Sequence, residues 1–273
     1  MRPADSALPL RHAVALGLLQ GPAELLPVSS SAHTTLVPWL AGWPYAALDG
    51  ESRKSFEVAL HAGASLALAI EMRAELAAQL TGMDRRAAAV LALSLAPAAI
   101  AGYALRGSIE RGLGGPRSIA AGLAAGALAM ALADARTRQP EREREDARPG
   151  DGLALGLAQA AALIPGVSRN GATLTAARAR GFGRAGAQAL SWETGLPVIL
   201  AAVALKAGRL ARRGVPRGTL ATLVAGGVSA FVSTLASARV LRGGRRAGRA
   251  LAPYSLYRCL LAALVMARVR RAR

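Results

Sequence analysis

The chain has 273 residues, 53% of them hydrophobic and only 4% aromatic, and 34 Lys and Arg against 16 Asp and Glu give a formal net charge of +18. That apolar content excludes a disordered chain, and the single cysteine, Cys259, excludes a disulfide scaffold and a thiolate zinc site. The charge points toward a polyanion and the mean hydropathy of +0.32 toward a bilayer.

In chain order, the charges withdraw from the apolar stretches. Residues 25–48 carry no Asp, Glu, Lys or Arg, and neither do residues 58–70, 87–105, 118–133, 152–168, 194–205 and 218–238. Residues 250–267 are interrupted by Arg258 alone. These stretches are apolar on every face, whereas a helix of a soluble protein keeps one polar side. A bilayer crossing takes about 20 residues, fewer where flanking arginines reach the interface. Residues 87–105 and 218–238 have that length; residues 118–133 and 58–70 need their flanks. The pattern predicts an all-α, polytopic membrane protein with about six transmembrane helices.

Most of the positive charge lies in the connections. Residues 206–217 hold Lys206, Arg209, Arg212, Arg213 and Arg217 without an acid, and residues 239–249 hold Arg239, Arg242, Arg245, Arg246 and Arg249. The tail adds Arg268, Arg270, Arg271 and Arg273. Such charge sits against anionic head groups, so anionic membrane lipids are expected partners and nucleic acid is not. The two richest connections flank one predicted span, so the charge bias assigns no sidedness. In residues 136–151 acids and bases cancel, and Pro140 and Pro149 interrupt the run. This reads as a solvated loop dividing a single membrane domain, 1–273, into halves of about 1–135 and 152–273. At the N-terminus, Arg2, Pro3 and Asp5 are followed by no small-residue cleavage site, so no cleaved leader is expected.

The halves repeat a pattern. Gln20-Gly21-Pro22-Ala23-Glu24-Leu25-Leu26-Pro27-Val28-Ser29-Ser30-Ser31-Ala32-His33 stands in the first, and Gln159 followed by Ile164-Pro165-Gly166-Val167-Ser168-Arg169-Asn170-Gly171-Ala172-Thr173 in the second. Both open on Gln and reach an apolar-Pro pair, then Val-Ser and a polar cluster. One inserted residue, Gly166, brings Ser168 level with Ser29. Pro27 and Pro165 cannot continue a helix, so each ends a half-helix and a hydroxyl caps the next. Paired broken segments predict two re-entrant helix-loop-helix pairs in an inverted repeat, with a site at the repeat interface.

The residues gathered there have a common chemistry. Polar groups at membrane depth are costly and functional. Arg169 can grip phosphate oxygens in a fork. Ser29, Ser30, Ser31, Ser168, Asn170 and Thr173 add donors, as do N–H groups at half-helix starts. Glu24 suits a divalent cation or a base. His33 suits proton transfer or nucleophilic attack, and Ser30 suits attack if a base activates it. Ser29, Ser31 and Thr173 also suit plain capping, His12 a place at the membrane interface, and His61 a hydrogen bond inside an apolar run. The set reads as an anion site. It fits a phosphatase, or a transporter or flippase for a lipid phosphate or small anion; a Glu–Ser–His grouping on one loop favours hydrolysis.

The two motifs, with Lys54-Ser55-Phe56-Glu57-Val58 and Pro253-Tyr254-Ser255-Leu256-Tyr257-Arg258, resemble the undecaprenyl-diphosphate phosphatase family, the bacitracin-resistance type, over nearly the whole chain. The resemblance implies hydrolysis of undecaprenyl diphosphate to undecaprenyl phosphate and inorganic phosphate, recycling the lipid carrier of cell-wall synthesis. It implies a divalent cation, Mg2+ or Ca2+, and the bacterial inner membrane with the site open outward; a homodimer is a further expectation. Carried over, Glu24 is the essential acid, Ser30 and His33 the nucleophile and proton-transfer pair, and Arg169 the phosphate-binding arginine. Gln20, where the family commonly has a second Glu, keeps an oxygen ligand for the metal beside Glu24 but loses the charge. Asn170 stands in place of a Ser and still donates. Glu57 is expected to steady Arg169 or another cation near the site.

Overall fold

Short polar side chains mark where helices begin. Asp49 accepts the N–H groups of Glu51 and Ser52, both at 2.9 Å, and Asp84 that of Ala87 at 2.7 Å, satisfying donors that a helix start leaves open. The computed structural model describes residues 8–105, 107, 112–136, 141–215, 218–241 and 250–271. Arg2, Pro3, Asp5, Pro140, Arg217, Arg242, Arg245, Arg246, Arg249 and Arg273 lie outside the described residues.

Among the described residues there are eleven α-helices. They are α1 (Leu10–Leu25), α2 (Ser30–Ala41), α3 (Gly50–Glu71), α4 (Arg73–Thr81), α5 (Arg85–Ala104), α6 (Pro116–Arg136), α7 (Pro149–Ala161), α8 (Arg169–Ala179), α9 (Arg184–Arg213), α10 (Leu220–Val240) and α11 (Ala252–Arg271). The chain is all-helical and polytopic, as its apolar stretches predict. Four of these, α5, α6, α9 and α10, are long and apolar enough to cross a membrane, and α3 with α4, bent by 65°, makes a fifth if the pair is one span. Helix α11 also has 20 residues but carries Arg258, Arg268, Arg270 and Arg271. Helices α1, α2, α7 and α8 have 16, 12, 13 and 11 residues. At about 1.5 Å per residue none reaches across a hydrocarbon core of about 30 Å. They are the half-helices of the two motifs.

The chain divides into two compact units. One holds the described residues of Met1–Leu25, His33–Arg73 and Val198–Val240. In it α10 packs against α1 and α3, and small residues set the closeness. A Cβ on Gly17 would lie 2.5 Å from the Gly226 carbonyl oxygen, and one on Gly63 would strike the Gly227 carbonyl. Helix α10 is inside-out by soluble standards. Its inner face is Thr222, Leu223, Gly226, Ala230, Thr234 and Ala238, while Leu220, Val224, Val228, Val232 and Val240 are exposed. In lipid the apolar effect between helices is absent and close backbone packing replaces it.

The other unit holds Leu26–Ala32, Ala74–Pro197 and the described residues of Leu241–Arg273. Here α7 packs on α5, α11 on α6, and α8 on both α6 and α7. Gly152 and Gly156 leave room for the α5 backbone at Val90 and Leu93. Residues 141–148, before α7, are largely exposed yet firmly held. Arg142 donates to both oxygens of Asp151, at 3.1 and 2.7 Å, and Arg180 donates at 2.7 Å. The Arg142 guanidinium also lies 4.2 Å from the centre of the Phe182 ring. Burial alone would raise the Asp151 carboxyl, but the hydrogen bonds from Arg142, Arg180 and the Arg148 backbone outweigh it and bring the pKa down to about 2. A carboxyl depressed in the fold stabilises it fully above the unfolded pKa of about 4 and loses that stabilisation as pH falls through the folded value. Asp151→Asn is therefore expected to cost about 2 kcal/mol at neutral pH and almost nothing near pH 2. Thermal unfolding of both proteins across that range, in one detergent, measures it; a gap that does not shrink on acidification contradicts it.

Candidate functional site

The two motif loops share one backbone device. After α1, Pro27 leads into a tight turn in which the Val28 N–H reaches Leu26 O at 2.8 Å. Ser29 then has φ 76°, and α2 begins at Ser30. After α7, the chain turns through Pro165 and Gly166, Ser168 has φ 66°, and α8 begins at Arg169. Among the described residues these serines are the only non-glycine residues in the left-handed region, a costly place for a side chain. Both caps follow the sequence expectation: Ser29 Oγ accepts the Ala32 N–H at 3.4 Å and Ser168 Oγ that of Gly171 at 3.2 Å. The one-residue offset is also as read, and Gly166 serves it: its φ is 96°, and a Cβ there would strike the Ile119 carbonyl.

The acid group lies in the first unit. Gln20 and Glu24, one turn apart on α1, are joined by an amide donation of 3.2 Å. His61 of α3 joins them, its Nδ1 3.2 Å from the Gln20 amide and 3.8 Å from the Glu24 carboxylate. The sequence suggested only a satisfied His61; it is a member of the acid group. His33, on α2, is buried. Glu57 is within reach of the Tyr45 hydroxyl, which donates to it at 3.4 Å. His12 stacks on Trp43 with ring centres 4.2 Å apart.

The serine and arginine group lies in the second unit. Ser30 is half-buried and Ser31 exposed, with Ser31 Oγ 3.4 Å from Ser29 Oγ. Arg169 is half-buried. Its guanidinium lies 3.5 Å from Ser191 O and 5.3 Å from the centre of the Trp192 ring. A Cβ on Gly195 would strike it, so Gly195 makes its channel along α9. Asn170 and Thr173 are buried; Ser191 donates to Asn170 Oδ1 at 2.8 Å and lies 2.5 Å from Thr173 Oγ1. The sequence signal for this support was the spacing of Ser191 and Gly195, which shares one helix face.

The chemistry of the acid group can be set against a cation. Among the described residues no three or more His, Cys, Asp or Glu side chains form a metal-holding group. Gln20 Oε1, however, is buried without a partner beside the Glu24 carboxylate. Two hard oxygens of this kind fit a hydrated Mg2+ or Ca2+ that completes its shell with phosphate oxygens.

Comparison with known proteins gives the family. The family described as bacitracin resistance protein BacA matches residues 13–264. An undecaprenyl-diphosphatase of Geobacter sulfurreducens is 42% identical over 271 residues, covering 94% of this chain and 97% of that protein. Another, from Geobacter metallireducens, is 41% identical with 93% and 96% covered. One from Sorangium cellulosum is 35% identical with 93% and 84% covered.

Proposed function

The chain belongs to the bacitracin resistance protein BacA family, and we propose that it hydrolyses undecaprenyl diphosphate to undecaprenyl phosphate and inorganic phosphate. The observation that carries the reading is the pair of matched loops, each with a left-handed serine that starts a half-helix at Ser30 or Arg169. The names of the relatives support the substrate.

The reaction is transfer of the terminal phosphoryl group, and charge stabilisation does most of the work. Arg169, the Ser168–Arg169 start of α8 and the Ser29–Ser31 hydroxyls hold phosphate oxygens. A nucleophile attacks the terminal phosphorus, the bond to the bridging oxygen breaks, and the lipid monophosphate leaves. Water supplies the oxygen of the released phosphate. Ser30 and His33, three residues apart on α2, supply nucleophile and proton transfer between them. Glu24 and Gln20 would hold a divalent cation, which when bound would add positive charge at the diphosphate. The exposed Lys206, Arg209, Arg212 and Arg213 at the end of α9 suit anionic head groups. A substrate of this kind, a carrier lipid of the cell wall, supports placing the protein in the bacterial inner membrane with its site facing outward.

The test uses purified protein in detergent with a polyprenyl diphosphate and Mg2+ or Ca2+. One phosphate per lipid monophosphate is the expected product. Glu24→Gln and His33→Ala should each slow release by about a hundredfold or more. No release from the wild type, or release unchanged in both variants, sinks the reading. A phosphohistidine that survives in Ser30→Ala assigns the attack to His33, and its absence with loss of activity assigns it to Ser30.

A further inference from the structure

We infer that Arg258 is a positioning residue that holds both motif loops in their working form, an inference that rests on the hydrolase reading above. Arg258 lies on α11, and its side chain is fully buried, at 0% exposure. Its guanidinium donates to Pro27 O at 3.3 Å, to Gly166 O at 3.0 Å and to Val167 O at 2.9 Å. All three acceptors are loop carbonyls, one from the first motif and two from the second.

A buried charge is costly unless its donors are used. Here two forked nitrogens serve three carbonyls that no helix ladder satisfies. The slot is built for this fork. A Cβ on Gly171 of α8 would lie 2.7 Å from Nη1, and one on Gly126 of α6 would strike Nη2. Lysine, with one nitrogen on a thinner stem, cannot span the same acceptors. With Nη1 and Nη2 both turned to loop carbonyls, Arg258 acts through the loops.

The consequence follows from peptide planarity. In a trans peptide the C=O and the next N–H point in opposite directions. With Val167 C=O drawn to Arg258, the Ser168 N–H is aimed away from the guanidinium, at the start of α8 beside Arg169. Ser168 is also the residue held at φ 66°. Pro27 stands two residues before Ser29, held at φ 76°, as Gly166 does before Ser168. One side chain thus pins both strained turns. Arg258 fixes the direction of the Ser168 donor, and an interaction of that kind counts mainly in the transition state.

The experiment takes the full chain in detergent as wild type, Arg258→Gln, Arg258→Lys and Gly171→Ala. Hydrogen exchange is read at residues 26–32 and 164–170, and kinetics with a polyprenyl diphosphate and Mg2+. The expected result for Arg258→Gln is exchange about tenfold faster in both segments, with no change in α3 or α10. Its kcat should fall about a hundredfold while KM stays within about threefold. Arg258→Lys should recover little of this. Gly171→Ala keeps the arginine but crowds it, and should lower kcat by about tenfold; it decides the matter if Arg258→Gln does not fold. Unchanged exchange in both segments, or a fall in kcat that only tracks the folded fraction, overturns the inference. A wild type that releases no phosphate, with loops that loosen in Arg258→Gln as expected, sinks the hydrolase reading and leaves the pinning role standing.

Discussion

Replacing Arg169 with alanine is expected to lower kcat/KM about a thousandfold or more, equivalent to about 4 kcal/mol of transition-state stabilisation. Arg169 is the first residue of α8, so its charge adds to a helix start that already favours anions. Its side chain is given room by Gly195 and lies beside Ser191 and Trp192. These contacts orient it and leave the fold little dependent on it. Arg169→Ala should therefore keep its unfolding temperature within about 3 °C of wild type while losing activity. Arg169→Lys keeps the charge but not the fork, and should recover only part. Phosphate release against substrate concentration, with thermal unfolding on the same samples, checks this. Activity within tenfold of wild type in the alanine variant refutes the role.

Gly21→Val is expected to cost roughly 3 kcal/mol or more, or to prevent folding. Gly21 sits between Gln20 and Glu24 on α1. A Cβ there would lie 2.5 Å from the Ser233 carbonyl carbon and 2.6 Å from Thr234 N. Those are backbone atoms of α10 and cannot turn aside. Helix α1 must then lift from α10, and the acid group moves with it. Gly50→Ala is the matched control, because nothing lies within 4 Å of its Cβ. Unfolding temperature and the monodisperse fraction in detergent read both. A Gly21→Val protein as stable as the control contradicts the packing account.

The spans and the loops were legible because lipid imposes one rule on every stretch: backbone polar groups must be met within the helix. The uncharged run at residues 218–238 and the breaks at Pro27 and Pro165 are direct readings of that rule. Ser29 and Ser168 were legible as caps through the repeat, although their left-handed φ was not. His61 and Arg258 were harder. Their partners lie 41 residues away on another helix for Gln20–His61 and 231 away for Arg258–Pro27, and no local period records such a pairing. The faces of α10 were also hidden. When the outer face is Val and Leu and the inner face, Leu223 apart, is Gly, Ala and Thr, ranking by apolarity points the wrong way.

The packing of α1 sets an order of assembly during synthesis. Ser233 Oγ donates to Leu18 O at 2.5 Å, across 215 residues, and Gly17 and Gly21 fit against the same helix. The partner of α7, by contrast, is α5, already made when α7 emerges. The α5–α7 contact can close early, while α1 must wait for α10. Helix α1, the first half-helix to leave the ribosome, is thus housed after α7, and a chain that stops short of Leu220 carries Gln20 and Glu24 on a helix with no berth for its glycine face.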